Sequence, residues 1–475
     1  MRKFFKAILT YGLGEILTRG AQILILPLIF IYIDKTQFGK LDYFLSIKNI
    51  LAVLMGIGLI TSITRYSIEA ENNDLSELVT NSITIILVLG TSLGLLIYLI
   101  AQIILQRQNF IEYQEALILT ISISLINALI TVPQAVLRTK KKPVKYSLIN
   151  LITFIGYALL SFLFLTFYQR SYSSFLYANL ISLILSFTIG MFLIDERITF
   201  KINFTLVHKL LKFGFAILAS SLTFTLLIYS NRFFLKLTGD FNELGILGMA
   251  ARVSLGVGAL FVLPFNLAWL PFINDIFKTQ NFKQIIQKVY HIYMLLSIIL
   301  AGSISFFSFD LFKIIHQETY VDSVYIIPFF AFSYLFLGLY FIFAGGIYLS
   351  EKTSQYLKAS IYTIIFNLIL YLIFYQHYTL FSVSLITLVS HIVLFLLAFK
   401  YGNKILCIKL FDKNLLIVLL IASINIFLSL VLIYFNIPSI ASAFLKLIIL
   451  AVLSLIGIKY INRGNKFELS KTFNF

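Results

Sequence analysis

Fourteen apolar runs, each long enough to cross a bilayer, follow one another from residue 12 to residue 460. A helix rises about 1.5 Å per residue, so about 20 apolar residues span a hydrocarbon core of about 30 Å. The runs lie near 12–33, 43–64, 79–103, 115–136, 146–168, 173–194, 213–237, 247–272, 289–309, 325–349, 356–375, 380–399, 415–435 and 439–460. No polar stretch between them is long enough to fold as a soluble domain. Of the 475 residues, 60% are hydrophobic and 12% charged, with a mean hydropathy of +0.96, a surplus that only lipid accommodates. In hydrocarbon each backbone donor and acceptor must be satisfied within its segment, so the runs read as helices. The expected fold class is an all-α polytopic membrane protein with about 14 transmembrane helices.

The net charge of +17 raises the question of nucleic acid, and its distribution answers it. The basic residues are scattered over short loops and gather on no single face, so no nucleic-acid partner is expected. With the N-terminus inside, inner segments hold 26 Lys and Arg, including the cluster "LRTKKKPVK" at 137–145, and outer loops hold five. That asymmetry sets the orientation and places both termini in the cytoplasm. The start "MRKFFKAILTYGLGEILTRG" has a basic n-region but no small-residue cleavage site, and is read as a retained segment. A single cysteine, Cys407, allows neither an intramolecular disulfide nor a multi-cysteine metal site.

The chain also repeats itself. "DKTQFGKLDYFLSIKNIL" (34–51) joins the first two runs, and "GDFNELGILGMAARVSLGV" (239–257) joins the seventh and eighth. Aligning Phe38-Gly39 with Leu244-Gly245 gives an offset of 206, which brings Lys48 and Arg252 within two positions of each other. A second junction pair, "LRTKKKPVKYSLIN" and "YLSEKTSQYLKASI", matches near 211. Six runs separate the copies, so both halves keep one topology, the parallel repeat of rocking-bundle transporters. The expected division is an N-terminal six-helix bundle (1–200), a pseudo-symmetric C-terminal bundle (201–400), and two additional helices with a tail (401–475).

Six basic residues fall inside the runs: Arg19, Lys48, Arg232, Lys236, Arg252 and Lys446. A cation at mid-helix costs about 2.5–3.5 kcal/mol on insertion scales, so it lines a wet cavity, finds a partner, or reaches back to the headgroups. Snorkelling is the better account of Lys236 and Lys446. For Lys48, Arg232 and Arg252 it stands beside a cavity-lining account, which three features favour. The charges sit on runs 1, 2, 7 and 8. Their helices carry small or polar faces: Gly12, Glu15, Arg19 and Gln22; Gly245, Gly248, Arg252 and Gly256; Ser221, Thr225 and Arg232. Glu15 is the one carboxylate well inside a run, so the helices of Lys48, Arg232 and Arg252 offer no acid of their own. Glu15 pairs with Arg19 at i,i+4 or serves as a proton or sodium coupling site, and both readings stand. A wet chamber with surplus positive charge selects an anion, for which the arginine fork suits phosphate oxygens. Pro27 removes a backbone hydrogen bond in the first run, either as a hinge or as a static kink.

The stretches "LTRGAQILILPLIFIYIDKTQFGKLDYF" (17–44), "GLITSITRYSIEAEN" (58–72), "KLLKFGFAILASSL" (209–222) and "SNRFFLKLTGDFNELGILGMAARV" with "LPFNLAWLPF" (230–253, 263–272) carry a family likeness. With "LRTKKKPVKYSLIN", they make the chain resemble the polysaccharide exporters of the MOP superfamily, the Wzx-type flippases. The resemblance implies a V-shaped, MATE-like pair of six-helix bundles that opens its central cavity to each side in turn. It implies transport and no enzymatic activity. The cargo would be an undecaprenyl-pyrophosphate-linked glycan such as an O-antigen, capsule or teichoic-acid-like repeat unit, moved across a bacterial cytoplasmic membrane. Arg19, Lys48, Arg232 and Arg252 would hold its pyrophosphate, with no cofactor. Membrane lipids and the polymerase and chain-length proteins of the same pathway would be its partners. In the related peptidoglycan-precursor flippases two extra helices form a groove for the lipid tail, a role open to runs 13 and 14.

Rival readings are a multidrug or cation antiporter of the same superfamily and a peptidoglycan lipid-precursor flippase. Cationic drugs call for buried carboxylates, against which stand Glu15 and four cations. A glycan polymerase or ligase needs a large outer loop, and every outer loop here is about 15 residues or shorter. "GIYLSEKT" (346–353) is no Walker motif, since Glu351 stands where the second glycine belongs. His391, alone within run 12, reads as a packed polar residue, and the histidines suggest no metal site.

Overall fold

The computed structural model describes residues 25–69, 72–104, 107–140, 142–194, 202–314, 318–350 and 353–409. No strand occurs among them. Ten of their helices are long and apolar enough to cross a membrane, or eleven when the bent helix Phe204–Thr238 is counted as one span. These coincide with runs 2 to 12 to within two residues or enclose them. The first run is described over Leu26–Tyr32, and runs 13 and 14 lie outside the described residues.

Two compact units divide the chain at Phe233, one helix beyond the sequence-based boundary at residue 200. The unit Ala21–Phe233 holds α1 (Leu26–Tyr32), α2 (Lys35–Gly56), α3 (Leu59–Glu69), α4 (Asn72–Ile104), α5 (Arg107–Leu129), α6 (Thr131–Thr139), α7 (Pro143–Phe167), α8 (Tyr172–Ile194) and most of α9 (Phe204–Thr238). The early part of α9 belongs here because it is fastened to α3, where Ser62 Oγ donates to the carbonyl of Leu210 at 3.2 Å. Small residues let α7 and α8 approach closely: Thr153 Oγ1 donates to Ser186 Oγ at 2.7 Å, and Gly190 fits against Pro133 and Ile149. The second run is not one straight helix. Ile57 (φ +46°) and Gly58 (φ +65°) take left-handed backbone conformations and split it into α2 and α3.

From Phe234 onward the second unit holds α10 (Phe241–Val257), a π-helical turn (Gly258–Val262), α11 (Leu263–Ile276), α12 (Phe282–Ile314), a 3-10 segment (Glu318–Tyr325), α13 (Ile327–Leu349), α14 (Thr353–Ile373) and α15 (Leu380–Leu406). Its core is aromatic: Trp269, Tyr290, Tyr293, Phe265 and Phe343 are fully buried. Glycines make room for that bulk. Gly345 faces the Trp269 indole, whose Nε1 donates to the Ile342 carbonyl at 3.3 Å, and Gly346 and Gly402 bring α13 and α15 into backbone contact. Leu95, Leu96 and Ile103 on α4, Leu159 and Phe162 on α7, and Leu368 and Leu372 on α14 remain exposed. On a soluble protein such faces would be sticky, whereas here they suit acyl chains.

The repeat is visible at helix starts. Asp34 caps α2, accepting from the Gln37 amide at 2.7 Å, and Asp240 caps α10, accepting from the Glu243 amide at 2.9 Å. The motif D-x-x-[QE]-[FL]-G thus begins the second run and the eighth in the same way, with Phe38 and Leu244 fully buried behind the cap.

Candidate functional site

Of the six site candidates, Glu15, Arg19, Pro27, Lys48, Arg232 and Arg252, four lie among the described residues. Glu15 and Arg19 lie outside them, as do Gly12 and Gln22.

Lys48 sits on α2, half-buried, with Nζ 3.4 Å from Asn49 Oδ1. Among the described residues no carboxylate pairs with it. Its own carbonyl accepts from Ser124 Oγ of α5 at 3.2 Å, which holds that turn of α2 against its neighbour. A half-buried ammonium with no carboxylate beside it among the described residues carries an uncompensated desolvation cost.

Arg232 departs from expectation. Its Nε donates to Asp42 Oδ2 at 3.0 Å, and the two residues are 4% and 7% exposed. Nη1 donates to the Ile228 carbonyl at 3.0 Å and to Asn231 Oδ1 at 2.8 Å, and the guanidinium carbon lies 5.6 Å from the Tyr229 ring centroid. The expected lone cation is therefore half of a buried ion pair. Hydropathy alone starts the second run at residue 43 and so puts Asp42 in the preceding loop. The signal was present: the Asp34 cap starts α2 at Lys35, so Asp42 stands two turns inside it. Lys48 follows Asp42 by six residues, about 9 Å along the axis and about 120° round it. It belongs to a different face of α2.

Arg252, on α10, is half-buried and is not a free cation. Its companions Gly245, Gly248 and Gly256 are buried in helix packing, with Ile304 against Gly256, and Ser254 Oγ donates to the Ile327 carbonyl of α13 at 3.2 Å. At Gly256 this small-residue face packs against Ile304. Pro27 falls in the first turn of α1, where its missing N–H interrupts no hydrogen bond of the described helix. His391 is buried with Nδ1 2.8 Å from the Thr387 carbonyl, as a packed polar residue would be.

A second charged contact marks the start of α2. Lys40 Nζ lies 3.1 Å from Glu112 Oε1 and faces the rings of Tyr113 and Tyr172 at 5.2 and 5.8 Å. Of Lys40 and Lys48 on α2, Lys40 thus has a carboxylate partner and Lys48 has none among the described residues.

The family model described as polysaccharide biosynthesis protein matches residues 4–277, more than half of the chain. The chain belongs to the polysaccharide biosynthesis protein family. A relative, an uncharacterized membrane protein of Haemophilus influenzae, is 22% identical over 296 residues, covering 61% of this chain and 69% of the relative. Among solved structures, the lipid II flippase MurJ in an inward closed conformation shares 17% identity. That match covers 98% of this chain and 99% of the flippase, with a TM-score of 0.76. An inward-facing multidrug resistance MATE family transporter of the MOP superfamily shares 15% identity over 83% of this chain and 94% of the transporter, with a TM-score of 0.62. At these identities the likeness is one of fold, and this polysaccharide biosynthesis family member has the MOP architecture. It is a multi-pass membrane protein whose relatives of like fold are a flippase and a transporter.

Proposed function

We propose that the protein is a flippase that moves an undecaprenyl-pyrophosphate-linked oligosaccharide across a bacterial cytoplasmic membrane by alternating access. The observation that carries the reading is Lys48 in a member of the polysaccharide biosynthesis family. Its ammonium lies half-buried in a membrane helix and, among the described residues, lacks a carboxylate partner. Stripping a pyrophosphate of water would cost tens of kcal/mol in hydrocarbon, of the order of the Born term, and fixed cations substitute for that lost hydration. Arg232 takes part with its charge trimmed by Asp42, and Arg252 and Arg19 complete the basic set. The glycan headgroup is an O-antigen, capsule or teichoic-acid-like repeat unit. Both termini face the cytoplasm, as the charge asymmetry of the loops requires.

The test is transport in proteoliposomes loaded with polyprenyl-pyrophosphate oligosaccharide, scored by access of the sugar to an external lectin or glycosidase. Wild type should equilibrate the lipid between leaflets and Lys48→Gln should lose most of that activity, while Lys48→Arg retains a substantial part. Equal rates for all three at equal protein levels would remove the role of Lys48, and no wild-type movement would remove the flippase reading. A peptide-bearing precursor lipid moved in preference to the oligosaccharide would favour the lipid-precursor alternative.

A further inference from the structure

Four basic residues of the unit Ala21–Phe233 stand outside the cationic set given to the cargo: Arg65 on α3, and His208, Lys209 and Lys212 on α9. All four are exposed, and none pairs with a carboxylate among the described residues. The Arg65 guanidinium carbon lies 4.7 Å from the Phe213 ring centroid and 6.0 Å from that of Tyr66. Stacking of this kind covers the flat face of a guanidinium and leaves its N–H edge for an acceptor. Phe213 follows Lys212 directly and Lys209 by about one helical turn, which groups three cations around one ring. The two helices are fastened at this point, where Ser62 Oγ donates to the Leu210 carbonyl and Gly58 meets Gly214. The start of α9 is already capped, since Asn203 Oδ1 accepts from the amides of Thr205 and Leu206 at 3.0 and 3.1 Å.

This corner lies at headgroup depth. The second apolar run ends at residue 64 and the seventh begins at residue 213, so Arg65 and Lys212 stand immediately beyond them. Both are on the side that the loop charges assign to the cytoplasm. At about 100° per residue, the exposed arc of early α9 runs from Phe204 and Phe215 through His208 and Lys212 to Lys209. Phe204 and Phe215 are 79% and 54% exposed, so aromatic bulk adjoins the cations. We infer that this corner of α3 and α9 binds an anionic phospholipid of the cytoplasmic leaflet. Its phosphate sits against Arg65, Lys209 and Lys212, and an acyl chain lies along Phe204 and Phe215. A soluble phosphate would use the cations and not the rings. A zwitterionic lipid would use the rings but brings its own ammonium to its phosphate. Unpaired cations beside exposed rings at one membrane boundary therefore fit a lipid of net negative charge. The inference does not rest on the flippase reading.

The experiment incubates the full-length protein in detergent with equimolar dioleoyl phosphatidylglycerol and dioleoyl phosphatidylcholine. The protein is repurified by gel filtration and its retained lipid is quantified by mass spectrometry. Wild type should retain phosphatidylglycerol in preference. Lys209→Gln and Lys212→Gln should each lower the ratio of the two lipids by about fivefold, the worth of one cation near an anionic surface. The triple variant Arg65→Gln/Lys209→Gln/Lys212→Gln should nearly abolish the preference. As a control, Lys278→Gln/Lys283→Gln/Lys404→Gln removes three exposed cations of the other unit, on the same side of the membrane, and should leave the ratio unchanged. A control that loses as much preference as the corner triple would make the effect one of overall charge and overturn the inference. No preference in wild type, or a full one in the corner triple, overturns it too. Excess inorganic phosphate at constant ionic strength should leave the phosphatidylglycerol bound, and its full release would assign a soluble phosphate in place of a lipid.

Discussion

Gly58 and Gly214 meet backbone to backbone: a Cβ on Gly58 would run into the carbonyl of Gly214, and a Cβ on Gly214 into the carbonyl of Ile57. Gly58 also holds a φ of +65°, at the break between α2 and α3. Neither neighbour is the flexible end of a side chain, so neither yields cheaply.

Gly214→Ala should therefore destabilise the protein by about 1–3 kcal/mol, the usual range for overpacking, and Gly58→Ala by more because backbone strain adds to it. Thermal unfolding in detergent checks this, with Gly56→Ala as the control. Among the described residues a Cβ at Gly56 meets only Ala128 at 3.9 Å, so that variant should unfold at or slightly above the wild-type temperature.

The buried pair gives a stability prediction separate from its role in transport. Arg232→Ala takes the guanidinium away from the buried Asp42 carboxylate and should cost about 3–5 kcal/mol, the range for breaking a buried ion pair from one side, whereas replacing both by neutral residues should cost less. A double-mutant cycle on unfolding midpoints measures the coupling, and additive single effects would show that the pair contributes nothing as a pair.

Cys407 ends α15 as an exposed free thiol and is the single cysteine of the chain, which makes it a clean topology reporter. A membrane-impermeant maleimide should leave it unlabelled in intact cells and label it after permeabilisation. Labelling from outside would invert the orientation drawn from the loop charges.

Asp240 caps α10, and the hydrogen bond from the Glu243 amide, aided by Asn242, holds its carboxyl below the ordinary value of 3.8. A lowered folded pKa means that the cap's contribution is complete above that ordinary value. It fades as pH falls through the lower folded one. Asp240→Ala should cost about 1 kcal/mol at neutral pH, the typical cap value. Asp240→Asn, which still accepts from the Glu243 amide, should cost less and abolish this part of the acid sensitivity. Unfolding midpoints between neutral pH and pH 3 make the comparison.

Much of the fold was legible in the chain because a membrane helix announces itself locally. Runs 2 to 12 recur as helices since the length of an apolar run is dictated by hydrocarbon thickness, and the caps at Asp34 and Asp240 lie in a readable motif. The break at Ile57-Gly58 was less legible, because "GIG" at 56–58 is equally at home in a straight membrane helix. What splits the run there is the approach of Gly214, which lies far along the chain. The candidate site was half legible. Lys48 is the half-buried cation without a carboxylate partner among the described residues that the sequence suggested, while Arg232 and the glycines around Arg252 were assigned to a cavity on the strength of type and spacing alone.

By itself the sequence determined that this chain lives in lipid, where runs 2 to 12 lie, which loops are rich in positive charge, and where the repeat begins. These are properties of single segments in a fixed solvent. Only the tertiary structure decided which buried charges are compensated. Arg232 and Asp42 stand 190 positions apart, and no acid within the arginine's own helix could have revealed the partner. An ion pair forms or fails by the rotation and approach of two helices, quantities that no local pattern of residues encodes.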